Sequence, residues 1–143
     1  MARKTDIKKG IGRILMIFLL VLYLGGCTYL LFVKGDTLPE FKKTGMILWL
    51  ASLLDVLPDK IIHTLLFIPI IPLAWGAVRP RLVITKIVIF WSGLIFGVIT
   101  EIIQHYLPYR TGDISDVAAD IVGSVLGIPL MLLFFSGERK KRK

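Results

Sequence analysis

Asp59, His63, Glu101, Gln104, Arg110, Asp113, Asp116 and Asp120 are the residues of this chain best equipped for chemistry, and all stand at or inside the ends of strongly apolar stretches. Moving a charge into hydrocarbon costs at least about 2.5 kcal/mol, so such residues are as a rule paired, buried between helices or facing water. Asp59 and His63 are four apart and share a helix face. Glu101 shares a face with Gln104 and His105, and Asp113, Asp116 and Asp120 form one stripe at a three-then-four spacing. Carboxylates crowded at one level repel unless cations intervene. Arg110, His63 and His105 are available to balance them, and a divalent cation would do the same, since carboxylate and imidazole are reasonable ligands. The acids suit recognition of amines, cation binding or proton relay. Arg110 suits a phosphate or a carboxylate.

Several chemistries lack their motifs. The chain has no His-Glu-x-x-His, no serine or cysteine beside a base in a nucleophile motif, and no glycine-rich phosphate loop. The expectation is a polar binding pocket lined by Asp59, His63, Glu101, Gln104, Arg110, Asp116 and Asp120. No resident metal or cofactor is expected, and a non-enzymatic role is favoured over catalysis. A membrane enzyme is the rival reading, with His63 or Glu101 as base toward a water nucleophile and Arg110 steadying charge. A blander reading makes the polar set interhelical glue. Asp113 reads mainly as a helix N-cap with Asp116 in an acidic first turn. Lys60 reads as a residue snorkelling to the interface.

The elements that position these groups are membrane spans. The chain has 143 residues, is 55% hydrophobic and has a mean hydropathy of +0.77. A spanning helix needs about 20 apolar residues. Ile14 to Val33, Ile61 to Val78, Leu82 to Ile103 and Val117 to Phe135 qualify, giving an all-α integral membrane fold of four helices. Residues 14–135 form the membrane domain, between a basic segment (1–13) and a basic tail (136–143). The net charge of +8 is concentrated at Arg3, Lys4, Lys8, Lys9 and Arg13, at Arg79, Arg81 and Lys86, and at Arg139 to Lys143. Basic flanks mark the cytoplasmic side, so both termini are expected inside and the polar set at the outer face. Anionic headgroups account for these basic blocks, and nucleic acid is not an expected partner. Cys27, the one cysteine, allows no intramolecular disulfide. It follows Leu24-Gly25-Gly26 as in a lipoprotein signal, but the apolar run continues to Val33, which favours an uncleaved first span.

Details within the spans shape the pocket. Pro69 and Pro72 fall mid-span in the second helix and are expected to kink it. Gly93 and Gly97 in the third, and Gly123 and Gly127 in the fourth, are small-residue pairs that let helix backbones approach closely. In the first outside connection, Pro39 to Thr44 is polar, and the apolar run from Met46 to Leu54 is too short to span. It is expected to be interfacial or re-entrant, with Trp49 at the headgroups.

Asp59-Lys60-x-x-His63 opening a span, Glu101-x-x-Gln104 with Leu107-Pro108-x-Arg110, Asp113-x-x-Asp116 and Gly123-x-x-x-Gly127 occur here in one order. This ordered set resembles the VanZ-like family over roughly residues 14 to 135. The chain departs from that family at Asp120, where asparagine is usual, which adds an acid to the set. The resemblance implies a small multi-pass protein of the bacterial cytoplasmic membrane. It also implies a cell-envelope context, since the eponymous member is associated with teicoplanin resistance. A lipid-linked cell-wall precursor is an expected partner besides the bilayer itself.

Overall fold

Four helical stretches are long and apolar enough to cross a bilayer: Gly10–Phe32, Pro58–Val78, Val83–His105 and Ile114–Phe135. The computed structural model describes residues 2–34, 45–110 and 112–140, the side chains of 2–9 and 136–140 aside. The polar run from Pro39 to Thr44 and the basic side chains of both termini, Arg13 excepted, therefore lie outside the described residues. Among the described residues every regular element is a helix: α1 (Ala2–Phe32), α2 (Gly45–Leu54), α3 (Pro58–Phe67), α4 (Ile70–Val78), α5 (Val83–His105) and α6 (Ile114–Lys140). At about 1.5 Å per residue, α1 is longer than the hydrocarbon is thick. Cys27 lies inside it, buried, with its thiol against the Leu66 carbonyl at 3.7 Å.

The spans alternate in direction. At one end the Arg13 guanidinium donates to the Ala77 carbonyl at 3.2 Å. At the other, Gln104 donates to the Leu31 carbonyl and Lys60 to Asp113, each at 2.8 Å. The C-terminus of α1, the start of α3, the end of α5 and the start of α6 are thus gathered at the end away from Arg13. The apolar core lies between them in layers. Phe67, Ile70 and Leu31 pack with Phe96 and Tyr23 in one layer, and Ile71, Ala74, Ile89 and Met131 pack with Trp75 in the next.

The second span is two helices, not one. Proline has no N–H, so Pro69 and Pro72 leave the Leu65 and Ile68 carbonyls without their usual i+4 donors, and α3 ends at Phe67 before α4 starts at Ile70. Neighbours occupy the backbone near the break. Tyr23 Oη donates to the Leu66 carbonyl at 2.8 Å. Gly127 of α6 lies against the Ile68 carbonyl so closely that a Cβ there would collide with it.

Glycine sets how near α6 comes to both partners. A side chain at Gly123 would run into the Thr64 carbonyl of α3 and Phe67 Cβ, and one at Gly97 into the Asp120 carboxylate. Gly93 faces Ser124 in the same way. The small-residue pairs are therefore two different contacts: α5 offers its glycines to α6, and α6 offers its own to α3 and the start of α4. The short helix α2 packs Ile47 and Ala51 against Ile61 at the polar end of α3, while Met46, Trp49 and Leu53 are exposed.

These contacts predict unequal costs for one added methyl group. Gly123→Ala should lower stability by about 1–3 kcal/mol, because the obstacle is backbone. Gly25→Ala, with nothing within 4 Å, should be neutral or stabilising by its helix propensity. Thermal unfolding of the two variants in detergent micelles checks the contrast.

Candidate functional site

Lys60 and His63 stand three apart at the start of α3, and Asp113, Asp116 and Asp120 run along the start of α6. Because Gly123 and Gly127 let these helices meet, the two rows interlock. The Lys60 ammonium donates to Asp113 Oδ2 at 2.8 Å and to Asp116 Oδ1, and lies 3.7 Å from Asp59 Oδ2. His63 Nδ1 is 2.9 Å from Asp120 Oδ1, and His63 Nε2 is 3.9 Å from Asp116 Oδ2. With Asp120 ionised, Nδ1 carries the proton and donates it, which leaves Nε2 as a lone-pair atom facing Asp116. Asp120 is wholly buried. Its second oxygen rests on the bare backbone of Gly97 and has no hydrogen-bond partner among the described residues.

Helix α5 adds the third side. Glu101 is buried one turn inside the end of α5, and its Oε2 accepts the Asp113 N–H at 2.6 Å. Its Oε1 is buried with no partner among the described residues. Asp113 caps α6: its Oδ1 accepts the Ser115 N–H at 2.9 Å while Oδ2 takes Lys60. The Lys60 ammonium, and then the Ser115 contacts, hold the Asp113 carboxyl well below the usual carboxylate range.

Above these groups is a cavity of about 240 Å³ lined by Asp59, Lys60, His63, Gln104, Tyr109, Arg110, Asp113 and Asp116. Glu101 and Asp120 sit behind that lining, buried in the protein. Gln104 and Arg110 border the cavity, yet each spends a donor on the end of α1, Gln104 on the Leu31 carbonyl and Arg110 Nη2 on the Val33 carbonyl at 2.8 Å. They answer two of the carbonyls that a helix C-terminus leaves without partners. Arg110 keeps a buried Nε with no partner among the described residues.

Two residues have other places than their spacing suggested. His105, expected to help balance the acids, is exposed at the last position of α5 and stacks edge-on with Tyr106. Lys60, expected to snorkel outward, has a side chain only 14% exposed and is the cation at the centre of the acids. Its signal was available: Lys60, His63, Thr64 and Phe67 fall at helical spacing on the face that meets α6, where Thr64 also donates to the Ala119 carbonyl. Tyr109 is a cavity residue that the sequence reading did not single out.

A family model described as VanZ/LLP1 matches residues 7–135. An uncharacterized protein of the fission yeast Schizosaccharomyces pombe, C11E3.10, is 29% identical over 84 residues, covering 58% of this chain and 52% of that protein. The chain spans about half the length of the curated relative it matches. No solved structure matches.

The Lys60 network predicts a strong asymmetry between single and paired substitutions. Lys60→Met leaves Asp116, 10% exposed, without its cation and should cost about 3 kcal/mol. Adding Asp116→Leu should recover a large part of that loss, because two apolar side chains then replace a desolvated pair. A double-mutant cycle on thermal unfolding in micelles measures the coupling.

Proposed function

The chain belongs to the VanZ-like family, and on that premise we propose that it is a multi-pass membrane protein acting through a ligand-binding cavity at the outer face of a bacterial cytoplasmic membrane. The supporting observation is the polar cavity itself. Three spans contribute charged side chains to one end of the bundle, the end away from Arg13 and Arg79. Isolated structural ion pairs do not require a cavity. These groups surround one, and Glu101 and Asp120 beside it carry oxygens with no partner among the described residues.

The ligand class follows from charge. Asp59, Glu101, Asp113, Asp116 and Asp120 face Lys60, Arg110 and His63, so carboxylates are in excess. Lys60 is already engaged, and Arg110 is partly given over to α1. The cavity therefore favours a ligand with a cationic group: an amine-bearing envelope lipid headgroup, a metal ion, or the amino group of a wall precursor or glycopeptide. Arg110 at the rim suits the phosphate of a zwitterionic headgroup. Similarity to a fission-yeast protein supports a ligand that membranes share beyond those beneath a peptidoglycan wall. Envelope physiology is then the general role, and protection against a teicoplanin-type antibiotic one outcome of it.

The Asp120–His63 pair favours a second reading. A buried carboxylate that orients an imidazole, with the far nitrogen toward a cavity, is the geometry of a general base. A hydrolase acting on a lipid headgroup through water needs no protein nucleophile. Turnover of a phospholipid or lipid-linked substrate by purified wild type, abolished in His63→Gln, would establish catalysis over binding.

Two measurements test the primary reading. In intact cells, Asp59→Cys should react with a membrane-impermeant maleimide and Gly10→Cys should not, the buried Cys27 serving as an internal control; the reverse labelling would place the cavity inside. In a teicoplanin-sensitive Gram-positive host, wild type should protect and Asp116→Asn should not, at matched membrane abundance. Equal protection by both would detach the cavity from envelope function.

A further inference from the structure

At the inner wall of the cavity two lining residues, His63 and Asp116, meet Glu101 behind them. His63, Glu101 and Asp116, all buried, each bring one nitrogen or oxygen to within 4.8 Å of the others. They come from three different helices, which is why no metal-binding spacing is visible along the chain. Each side chain is also held by its other polar atom. Lys60 takes Asp116 Oδ1, the Asp113 N–H takes Glu101 Oε2, and Asp120 takes His63 Nδ1. What remains is Nε2 of His63, Oδ2 of Asp116 and the unpartnered Oε1 of Glu101.

An acidic cluster alone means little, but three features here point to a cation. Glu101 is more than nine-tenths buried, and one of its oxygens has no donor among the described residues. Leaving a carboxylate oxygen in that state is expensive unless a cation or proton meets it. The histidine is prepared as a ligand: a carboxylate bound to one ring nitrogen fixes the tautomer and makes the other nitrogen a better donor, the arrangement found behind metal-ligating histidines. The two carboxylates carry the charge of one divalent ion, so occupation would neutralise them while Lys60 remains on Asp113.

We infer that His63, Glu101 and Asp116 bind a divalent transition-metal ion of the zinc or manganese kind, with Asp120 and Lys60 as positioning residues. The inference rests on the cavity reading above and names the ligand of its deepest part. Imidazole together with carboxylates suits such ions better than magnesium or calcium, which prefer oxygen alone. Ligands at about 2.1 Å from a tetrahedral zinc stand about 3.4 Å apart. The ligand atoms lie within 4.8 Å of one another, so the cluster must close by up to about 1.4 Å, within reach of side-chain torsions. Three protein ligands leave a fourth position open toward the cavity for water or a ligand group.

The test uses the full chain purified in detergent, stripped with chelator and titrated with zinc or manganese chloride. Wild type should take up one ion per chain and melt at a higher temperature with it. Glu101→Gln and His63→Gln should each lose at least about 10-fold in affinity, and Asp120→Asn, which keeps an acceptor for Nδ1 but loses the charge, a smaller amount. Asp55→Asn, exposed after α2 and outside the cavity lining, should bind as wild type does. Cobalt absorption in the visible range, present in wild type and Asp55→Asn and absent in Glu101→Gln, shows whether the ion sits at this cluster. If a ligand variant fails to fold, wild type still decides the matter. No saturable uptake of either ion below about 100 µM, or a bound ion whose spectrum is unchanged in Glu101→Gln, overturns the inference. Loss of protection by Asp116→Asn in cells, alongside absence of metal binding in vitro, would sink the cation assignment and leave the cavity reading standing.

Discussion

Bare backbone at Gly123 and Gly127 lets α6 settle against the Thr64 carbonyl of α3 and the Ile68 carbonyl in the break after it, and the polar cluster depends on that approach. Lys60 and His63 reach Asp113, Asp116 and Asp120 only because the two helix axes are this close. In hydrocarbon there is no hydrophobic force to press helices together, so contact must come from packing and from polar groups that find one another. Here the two act in series along one seam. Glycines hold the middle of the helix pair, and ion pairs hold its end. Gly97 repeats the logic from α5, since its missing side chain is the space into which the Asp120 carboxylate fits.

Several polar side chains of the bundle are spent on backbone, while Ser124 Oγ has no partner among the described residues. Tyr23, Thr64, Thr100 and Gln104 each donate to a carbonyl. This is what a low-dielectric interior demands, since an unmet carbonyl costs more there than in water. Against that background the cluster around Lys60 stands apart. It is built from side chains answering side chains, and it retains buried oxygens that the described residues leave unanswered.

Hydropathy alone disclosed the four spans, and the proline pair disclosed the weak point of the second, because both effects act within a few residues of chain. The acids could be read as a group because each sat near the end of its own helix. What spacing left ambiguous was rotation. Gln104 and His105 are both about one turn beyond Glu101, yet only Gln104 stays on the packed face; His105, at the final position, turns out to solvent. Lys60 was misjudged for a related reason. A long charged side chain near a span terminus has two outlets, water or an acid on a neighbour, and the choice depends on which helix lies alongside. The metal-like trio drew one residue from each of three helices, so no local pattern announced it.

The end of α1 carries one more consequence. Gln104 and Arg110 grip the carbonyls of Leu31 and Val33, not their side chains. Every amino acid supplies a carbonyl, so these two hydrogen bonds do not select residues 31 and 33, although the Leu31 side chain is held separately in the core. The C-terminus of the first helix is in that respect recognised by the backbone oxygens that any helix end presents. Relatives are free to exchange the lipid-facing text of this helix wholesale while the clamp, written entirely in α5 and the turn after it, stays legible.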